Sequence, residues 1–316
     1  MQAISPQSPE ERHRHGDDHA LGRISRWRRP WEIVKRIAIG VYSDGFIHAG
    51  NLAYLALVSL FPFFIVTAAL AHALGRGPDT LMAIDSFLRT LPPSIRTLLR
   101  PPITDVLAQR TGSLLWLGGL VGLWTAASFI ETIRDILRRA YGVTSVRPFW
   151  HYRLWSIGLI LASMILILVA FSFQIMLLAV EQFILRVLPD LAGAATLVSV
   201  GRIAPAVALF AALYMVFYSL TPREYRESKC PKWPGALFTA GWWLLVTALL
   251  PGVLGLLGGY DLTYGSLAGV MIALIFFFFV GLGLVVGAEL NAALAEADDE
   301  GVEDLGGSNK QEAAAA

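Results

Sequence analysis

Residues 262–288 form a stretch of 27 residues without a single charged side chain. An α-helix rises about 1.5 Å per residue, so it crosses the roughly 30 Å hydrocarbon core of a bilayer in about 20 residues. The stretch is therefore long enough to span a membrane. Tyr260 and Tyr264 lie at its start, where aromatic rings favour the membrane interface, and Glu289 and Asn291 follow its end. This pattern predicts a transmembrane helix.

The composition predicts that further segments cross the membrane. Of the 316 residues, 55% are hydrophobic and only 16% are charged, whereas soluble domains are about one quarter charged. We predict an all-α integral membrane protein, a bundle of six transmembrane helices with additional short amphipathic interfacial helices. The six spans are predicted at residues 49–71, 112–130, 154–180, 203–220, 235–257 and 265–288.

The membrane domain is predicted to cover residues 26–295, between two disordered cytoplasmic tails at residues 1–25 and 296–316. The second tail is acidic and rich in alanine. Arg26 to Val41 has apolar residues at helical spacing opposite basic ones, which predicts an amphipathic helix on anionic lipid. The proline-rich connection from Arg76 to Arg110 predicts two short helices at the outer interface, with a lid as the alternative.

The distribution of basic residues predicts the orientation. Three segments hold 15 Lys and Arg residues in total, and the three that alternate with them hold 6; these are residues 22–48, 132–153 and 219–234 against residues 75–111, 179–194 and 258–264. Positively charged loops stay in the cytoplasm, so both termini are expected there. The charged residues after the second span, Glu131 to Arg139, are spaced for ion pairs within one helix. The first 45 residues lack the apolar core of a cleavable signal peptide.

Polar residues inside the predicted spans are candidates for a substrate path. In the first span, Asn51, Tyr54, Ser59 and Pro62 lie within an arc of about 140° on a helix. Such a face looks either at a water-filled cavity or at neighbouring helices that it holds together, and the two interpretations are equally weighted. The remaining path candidates are Gln174, Tyr214, Thr247, Tyr260, Tyr264, Glu289 and Asn291.

Prolines and glycines in the spans predict how the helices pack and bend. Pro62, Pro205 and Pro251 predict interrupted helices, which often form substrate sites in transporters. The glycine pairs Gly265–Gly269 and Gly283–Gly287 predict close helix contacts. No carboxylate lies near the middle of a predicted span, which disfavours an ion-coupled pump. Glu289 is more simply explained as a satisfied residue at the inner interface.

Several motifs resemble the YihY/BrkB family of bacterial inner-membrane proteins, once labelled ribonuclease BN. They are NLAYLALVSLFPFF (Asn51 to Phe64), the segment from Leu123 to Val143, YSLTPRE (Tyr218 to Glu224), and YDLTYG (Tyr260 to Gly265) followed by GAELN (Gly287 to Asn291). The resemblance covers roughly residues 30–295; Phe276 to Phe279 depart from the Leu, Trp and Tyr that the family often has there. It implies six transmembrane helices in the bacterial inner membrane, and links to envelope stress, serum resistance and solute or lipid export.

These observations predict a transporter or exporter of a small solute or lipid, with a structural or regulatory envelope protein as the alternative. Membrane lipids are the expected partners, together with further copies of the chain in a homo-oligomer. Ribonuclease activity is disfavoured because metal-dependent hydrolysis needs converging carboxylates or histidines, whereas His48, His72 and His151 lie in different segments. No catalytic residue, metal, cofactor or nucleic-acid partner is expected, and the one cysteine excludes an intramolecular disulfide.

Overall fold

The structure is a computed structural model of the 316-residue chain. It describes residues 4–16, 21, 24–73, 85, 88, 96–97, 100–101, 113–144, 150, 153–158, 160–161, 165, 195–226, 230–256 and 267–295. For residues 61–73, 113–119, 195–205 and 254–256 the backbone alone is described.

The described part of the chain is helical and contains no strand, as an all-α fold requires. In chain order the elements are α1 (Pro9–Arg14), α2 (Arg29–Gly40), a π-helical turn (Val41–Gly45), α3 (Phe46–Ala73), α4 (Ser113–Tyr141), α5 (Ala195–Leu220), α6 (Arg223–Arg226), α7 (Trp233–Leu256) and α8 (Ala268–Leu294). Residues 153–158 are also helical.

Two of these helices, α7 and α8, are long and apolar enough to cross a membrane. In their most apolar stretches only 22% of the α7 residues and 33% of the α8 residues are buried within the protein. The core helix of a soluble protein would be mostly buried. Large apolar side chains such as Leu249 and Phe279 are instead exposed on their surfaces, which is the arrangement expected of helices that face lipid.

Helix α8 is at the centre of the described bundle, in contact with α2, the π-helical turn, α3, α4 and α7. Glycines allow these close contacts. A Cβ atom at Gly287 would lie 2.3 Å from Oγ1 of Thr239 on α7, and one at Gly283 would lie 2.2 Å from the Trp242 ring. The predicted role of the Gly283–Gly287 pair in helix packing is therefore confirmed. Gly281 lies on the α3 side of α8, where a Cβ atom would be 3.1 Å from the Ala49 carbonyl oxygen.

The main apolar core lies toward the carboxyl end of α8. It is formed by buried residues of α3, α4, α5, α7 and α8, including Leu52, Leu137, Phe217, Ala240 and Ala288. Its members on α4 and α5 lie near the ends of those helices, and Ala236 and Ala240 lie near the start of α7. Among the side chains that the structure describes, the main core therefore lies at the end at which α8 finishes.

The proline interruptions predicted from the sequence are absent from the described backbone. Helix α3 runs without a break through Pro62, α5 through Pro205 and α7 through Pro251. A proline removes one backbone donor, and a membrane helix can continue on both sides when its neighbours support it. The described backbone is therefore helical on both sides of each proline, and a bend at these positions stays a prediction.

The predicted disordered tail at residues 1–25 needs correction at residues 4–16. These residues include α1, whose first turn is capped by Ser8: the Ser8 hydroxyl accepts a hydrogen bond from the Glu11 amide at 3.2 Å. Gly16 follows α1 with φ +67°, a conformation that glycine adopts without strain at the end of a helix. Ser8 and Arg12 are buried against the rest of the protein. The tail at residues 296–316 lies outside the described residues, as does most of the connection at residues 76–110.

Candidate functional site

A group of buried polar side chains surrounds the carboxyl end of α8. We call it the carboxyl-end cluster and define it as Ser5, Arg12, Arg36, Glu289 and Asn291. Their exposed fractions run from 0% for Asn291 to 7% for Glu289. Polar groups this deeply buried need hydrogen-bond partners, so their contacts show what the cluster does.

Asn291 caps the start of the neighbouring helix α7. Lys232 precedes α7 and has no side-chain acceptor, while Pro234 has no backbone N–H. The Asn291 Oδ1 atom accepts a hydrogen bond from the Gly235 amide at 2.8 Å. Its Nδ2 atom donates to the Lys232 carbonyl at 3.1 Å. A side chain of α8 thus performs the capping that Ser, Thr, Asp or Asn performs within a single chain segment.

Glu289 lies between α2 and the N-terminal segment. The Ser5 hydroxyl donates to Oε2 of Glu289 at 3.2 Å. On the other side, the same oxygen would be 2.2 Å from a Cβ atom at Gly40. Glycine at position 40 therefore leaves the space that the Glu289 carboxyl group occupies, and a larger residue would displace that group.

Two arginines bind the last carbonyl groups of α8. Arg12 donates to the Ala295 carbonyl at 2.6 Å, and Arg36 donates to the Ala293 carbonyl at 3.3 Å. The end of a helix leaves carbonyl oxygens without intrahelical partners and carries a partial negative charge. The two guanidinium groups donate hydrogen bonds to these carbonyl oxygens and also bring positive charge to the negative end of the helix. Arg36 also pairs with Glu32 one turn earlier on α2, at 3.5 Å.

Arg153 is the centre of a second polar group, on the surface of α4. It donates to the Glu131 carboxylate at 2.8 Å, to the Ser128 hydroxyl at 3.0 Å and to the Trp124 carbonyl at 2.7 Å. Its guanidinium carbon also lies 3.7 Å from the centre of a Trp124 ring, a cation–π contact. This group fastens the segment at residues 153–158 to α4.

The charged residues after the second span pair both within α4 and with other segments. Asp135 pairs with Arg138 at 3.6 Å, as predicted. Glu131 instead pairs with Arg153, and Arg139 pairs with Asp44 of the π-helical turn at 3.4 Å. Sequence spacing shows which residues share a helix face but does not reveal a partner from another segment.

Two buried tyrosines lie between α4 and α6. The rings of Tyr141 and Tyr225 have centroids 4.9 Å apart, and both are at most 1% exposed. Burial raises the pKa of Tyr141 above its ordinary value of 10.0. The Tyr225 hydroxyl donates to the Glu10 carboxylate of α1 at 2.8 Å. These rings therefore join the N-terminal segment to the bundle.

Among the predicted path residues whose side chains the structure describes, Glu289 and Asn291 are the two that it brings into one site. Asn51 and Tyr54 are exposed on α3, and Tyr54 has 59% of its surface accessible. Ser59 is buried and donates to the Ala56 carbonyl of its own helix at 3.2 Å. Tyr214 on α5 is 36% exposed.

The other path candidates contribute less to the described site. Thr247 is half-buried on α7, and Pro62 is described by its backbone alone. Gln174, Tyr260 and Tyr264 lie outside the described residues.

A shallow groove of about 420 Å³ lies along the outer face of α7. It is lined by Trp233, Pro234, Leu237, Phe238, Gly241, Trp242 and Leu245. This lining is almost entirely apolar. Within the described parts of the chain, no three His, Cys, Asp or Glu side chains come together in a way that could hold a metal ion.

Ser5, Arg12, Arg36 and Gly235 belong to the site but were not predicted as functional from the sequence. Ser5 and Arg12 lie in a polar segment whose composition indicates disorder. Arg36 was one of the basic residues expected to meet lipid, yet it is 2% exposed. The sequence did contain one indication of these residues, namely the predicted end of the last helix. The final carbonyl groups of a helix need hydrogen-bond donors or cations nearby.

The apolar helices α7 and α8 expose large apolar side chains, and polar side chains are buried at the carboxyl end of α8. These features are those of an all-helical membrane protein. A family model described as Virulence factor BrkB matches residues 43–312, and the chain belongs to this family. The predicted YihY/BrkB resemblance is confirmed.

Two curated proteins are similar over most of the chain. One is the "Putative ribonuclease-like protein YfkH" of Bacillus subtilis (strain 168), which is 31% identical over 257 residues, or 79% of this chain and 90% of that protein. The other is the "UPF0761 membrane protein PSHAa0171" of Pseudoalteromonas translucida (strain TAC 125), which is 25% identical over 272 residues, or 82% of this chain and 83% of that protein. No solved structure matches significantly.

Proposed function

We propose that this chain is a six-span protein of the bacterial inner membrane that moves a small solute or a lipid across it, in support of envelope integrity. The observation that carries the proposal is the buried carboxyl group of Glu289 at the end of the apolar helix α8. From the sequence alone Glu289 is more simply explained as a satisfied interfacial residue, but its burial at the end of an apolar helix supports a functional role, because ionisable groups are costly in such a position.

The directions of the helices support six spans. Helices α3 and α7 begin beside the carboxyl end of α8, while α4 and α5 finish beside it. The third of the six proposed spans would start at residues 153–158, a segment that Arg153 holds against α4 through its contact with Glu131. The third predicted span, residues 154–180, would then run away from the carboxyl end of α8. Successive spans would thus alternate in direction along the chain.

Contacts between the chain ends support placing both termini on the same side. Ser5 is hydrogen-bonded to Glu289, although 284 positions separate them. An even number of crossings between them is the simplest arrangement that allows this contact. Arg12, Arg36, Arg139 and Arg153 all lie at this end, so positive charge favours the cytoplasm for it.

Transport is tested by placing the purified protein in liposomes. One set contains a fluorescent phosphatidylethanolamine, whose outward movement is read by dithionite quenching, and another contains trapped carboxyfluorescein. We expect movement of one of the two probes, with at least a tenfold loss in Glu289→Gln. Thermal unfolding of the variant shows that it is folded, and Arg14→Gln, which changes an exposed residue of α1, is the matched control.

A structural or regulatory envelope protein is the second candidate. It is favoured by the positions of Asn51 and Tyr54, which are exposed on α3 and not gathered around a common cavity. Lipids, and other copies of this chain in a homo-oligomer, are the partners we propose for either candidate. If neither probe moves through folded protein in liposomes, this candidate replaces transport.

We also propose that the chain is not a ribonuclease. The name of the Bacillus relative carries that term, but the metal-assisted reaction needs converging carboxylates or histidines. The carboxyl groups of this site are engaged one by one: Glu289 with Ser5, Glu131 with Arg153 and Asp44 with Arg139. Incubation of the purified protein with labelled RNA and Mg²⁺ or Zn²⁺ tests this, and specific cleavage would contradict it.

A further inference from the structure

The N-terminal residues 4–16 lie across the carboxyl end of α8, and we call them the strap. The strap contacts three other elements. The Ser5 amide donates to the Arg139 carbonyl of α4 at 3.1 Å, Arg12 donates to the Ala295 carbonyl just after α8, and Glu10 accepts from Tyr225 of α6. The strap therefore bridges the ends of helices that are distant in the sequence.

The buried contacts of the strap are mainly polar. Its buried residues are Ser5, Ser8, Pro9 and Arg12. Apolar burial is what holds most segments in place permanently, whereas a hydrogen bond within a protein largely replaces one to water, so its net contribution is small. The segment itself therefore has Pro9 as its one buried apolar residue among those that the structure describes, and the bonds that it breaks on leaving can be replaced by bonds to water.

The strap covers the Glu289 carboxyl group, on which the proposed function rests. Ser5 covers the Glu289 carboxyl group, and Arg12 covers the carbonyl of Ala295. Helix α2 closes the opposite side through Gly40. The strap is thus the part of this enclosure that could open while every long helix stays in place.

We propose that the strap is an autoinhibitory device that detaches from α8 and so opens Glu289 to solvent at this end of the bundle. Its effect on flux rests on the proposed function, but its detachment does not. When the strap is seated, Glu289 is closed off from solvent, and its release precedes any use of that carboxyl group.

The test measures the accessibility of a cysteine placed at Ala295, which is fully buried. The full-length protein in nanodiscs carries Cys230→Ala, which removes the native thiol, and Ala295→Cys. The release variant adds Arg12→Gln and Tyr225→Phe, which remove two strap contacts and keep the Tyr225 ring. We expect the introduced thiol to react with a soluble maleimide at least tenfold faster in the release variant.

Arg14→Gln is the matched control, because Arg14 is on α1 with its side chain 56% exposed and pairs locally, with Glu11 at 3.5 Å. Its labelling rate should equal that of the parent. Equal rates in the parent and the release variant would overturn the proposal. So would faster labelling in the Arg14 control, since that would indicate general loosening. Faster labelling of the release variant without movement of either liposome probe would support detachment of the strap but reject transport, and with it the autoinhibitory role.

Discussion

Asn291 has a structural role at the scale of a single residue that its neighbour Glu289 does not share. Its side chain supplies both an acceptor and a donor to the first turn of α7. Glu289, two positions earlier, is held by Ser5. The motif GAELN therefore combines a residue that completes the fold with one that is available for function, and substitutions should separate the two.

Asn291→Ala should destabilise the protein by about 1–3 kcal/mol, because the buried Gly235 amide loses its acceptor. Asn51→Ala is the control, since Asn51 is exposed on α3 and surface changes usually cost less than about 0.5 kcal/mol. The measurement is the free energy of unfolding in mixed micelles with increasing denaturing detergent. Equal stability of the two variants would contradict the capping role.

At the scale of the elements, the contact between helices α7 and α8 depends on glycines, which let the two backbones approach closely. The Gly287 position faces Thr239 and the Gly235 carbonyl, and a Cβ atom there would lie 2.3 Å and 2.8 Å from them. Trp242 and Trp243 add hydrogen bonds from their indole N–H groups to the Phe279 and Val280 carbonyls, both at 2.8 Å. This combination of close backbones and interhelical hydrogen bonds is typical of membrane helix pairs.

Gly287→Ala should therefore cost about 1–3 kcal/mol through overpacking. Gly241→Ala on α7 is the matched control, because nothing lies within 4 Å of the added Cβ atom. We expect the control to be neutral or slightly stabilising, since alanine has the higher helix propensity. Thermal unfolding midpoints of both variants in the same detergent decide the matter, and a stable Gly287→Ala protein would show that the helices can separate without loss.

Helix α2 has one face toward α8 and another toward its surroundings. Arg36 and Gly40 are buried on the first, while Trp27, just before the helix, and Trp31 are 92% and 71% exposed. Exposed tryptophans next to basic residues are typical of a segment at the surface of anionic membranes. The predicted amphipathic helix is present, but it is shorter than residues 26–41 and its Arg36 turns inward.

Anionic lipid should stabilise the protein through the exposed basic residues of this region, Arg28, Arg29 and Lys35. Each such residue near an anionic surface contributes about 1 kcal/mol. Replacing all three with Gln should reduce, by up to about 3 kcal/mol, the stabilisation gained when phosphatidylglycerol is added to zwitterionic nanodiscs. Arg14→Gln should leave that gain unchanged, and a triple variant that keeps the full gain would rule out this role of α2.

At the scale of the whole molecule, the proposed topology places the α5–α7 connection in the cytoplasm and the α3–α4 connection outside. With Cys230→Ser as background, Glu224→Cys is expected to stay unlabelled when intact cells are treated with an impermeant maleimide. Thr97→Cys, in the outer connection, is expected to react. Both introduced cysteines should react after the membrane is opened. Labelling of the Glu224→Cys variant in intact cells would overturn the orientation.

Long uncharged stretches and motifs are local features, and from them the sequence predicted the family and five helices that the structure describes, while most of the third predicted span, residues 154–180, lies outside the described residues. Helices lie at the predicted positions of α3, α4, α5, α7 and α8. It did not predict the strap, because Ser5 and Arg12 acquire their partners from residues more than 280 positions away. The composition of such a segment indicates disorder. The segment becomes ordered because it packs against the folded carboxyl end of α8.

The cap that Asn291 places on α7 also affects the order in which the protein can be completed. A ribosome makes Gly235 56 residues before Asn291, and Ser5 284 residues before Glu289. At on the order of 10 residues per second, Ser5 waits for about half a minute before its partner exists. Nascent chains that stop short of the last helix therefore lack both the Asn291 cap on α7 and the Glu289 partner of Ser5.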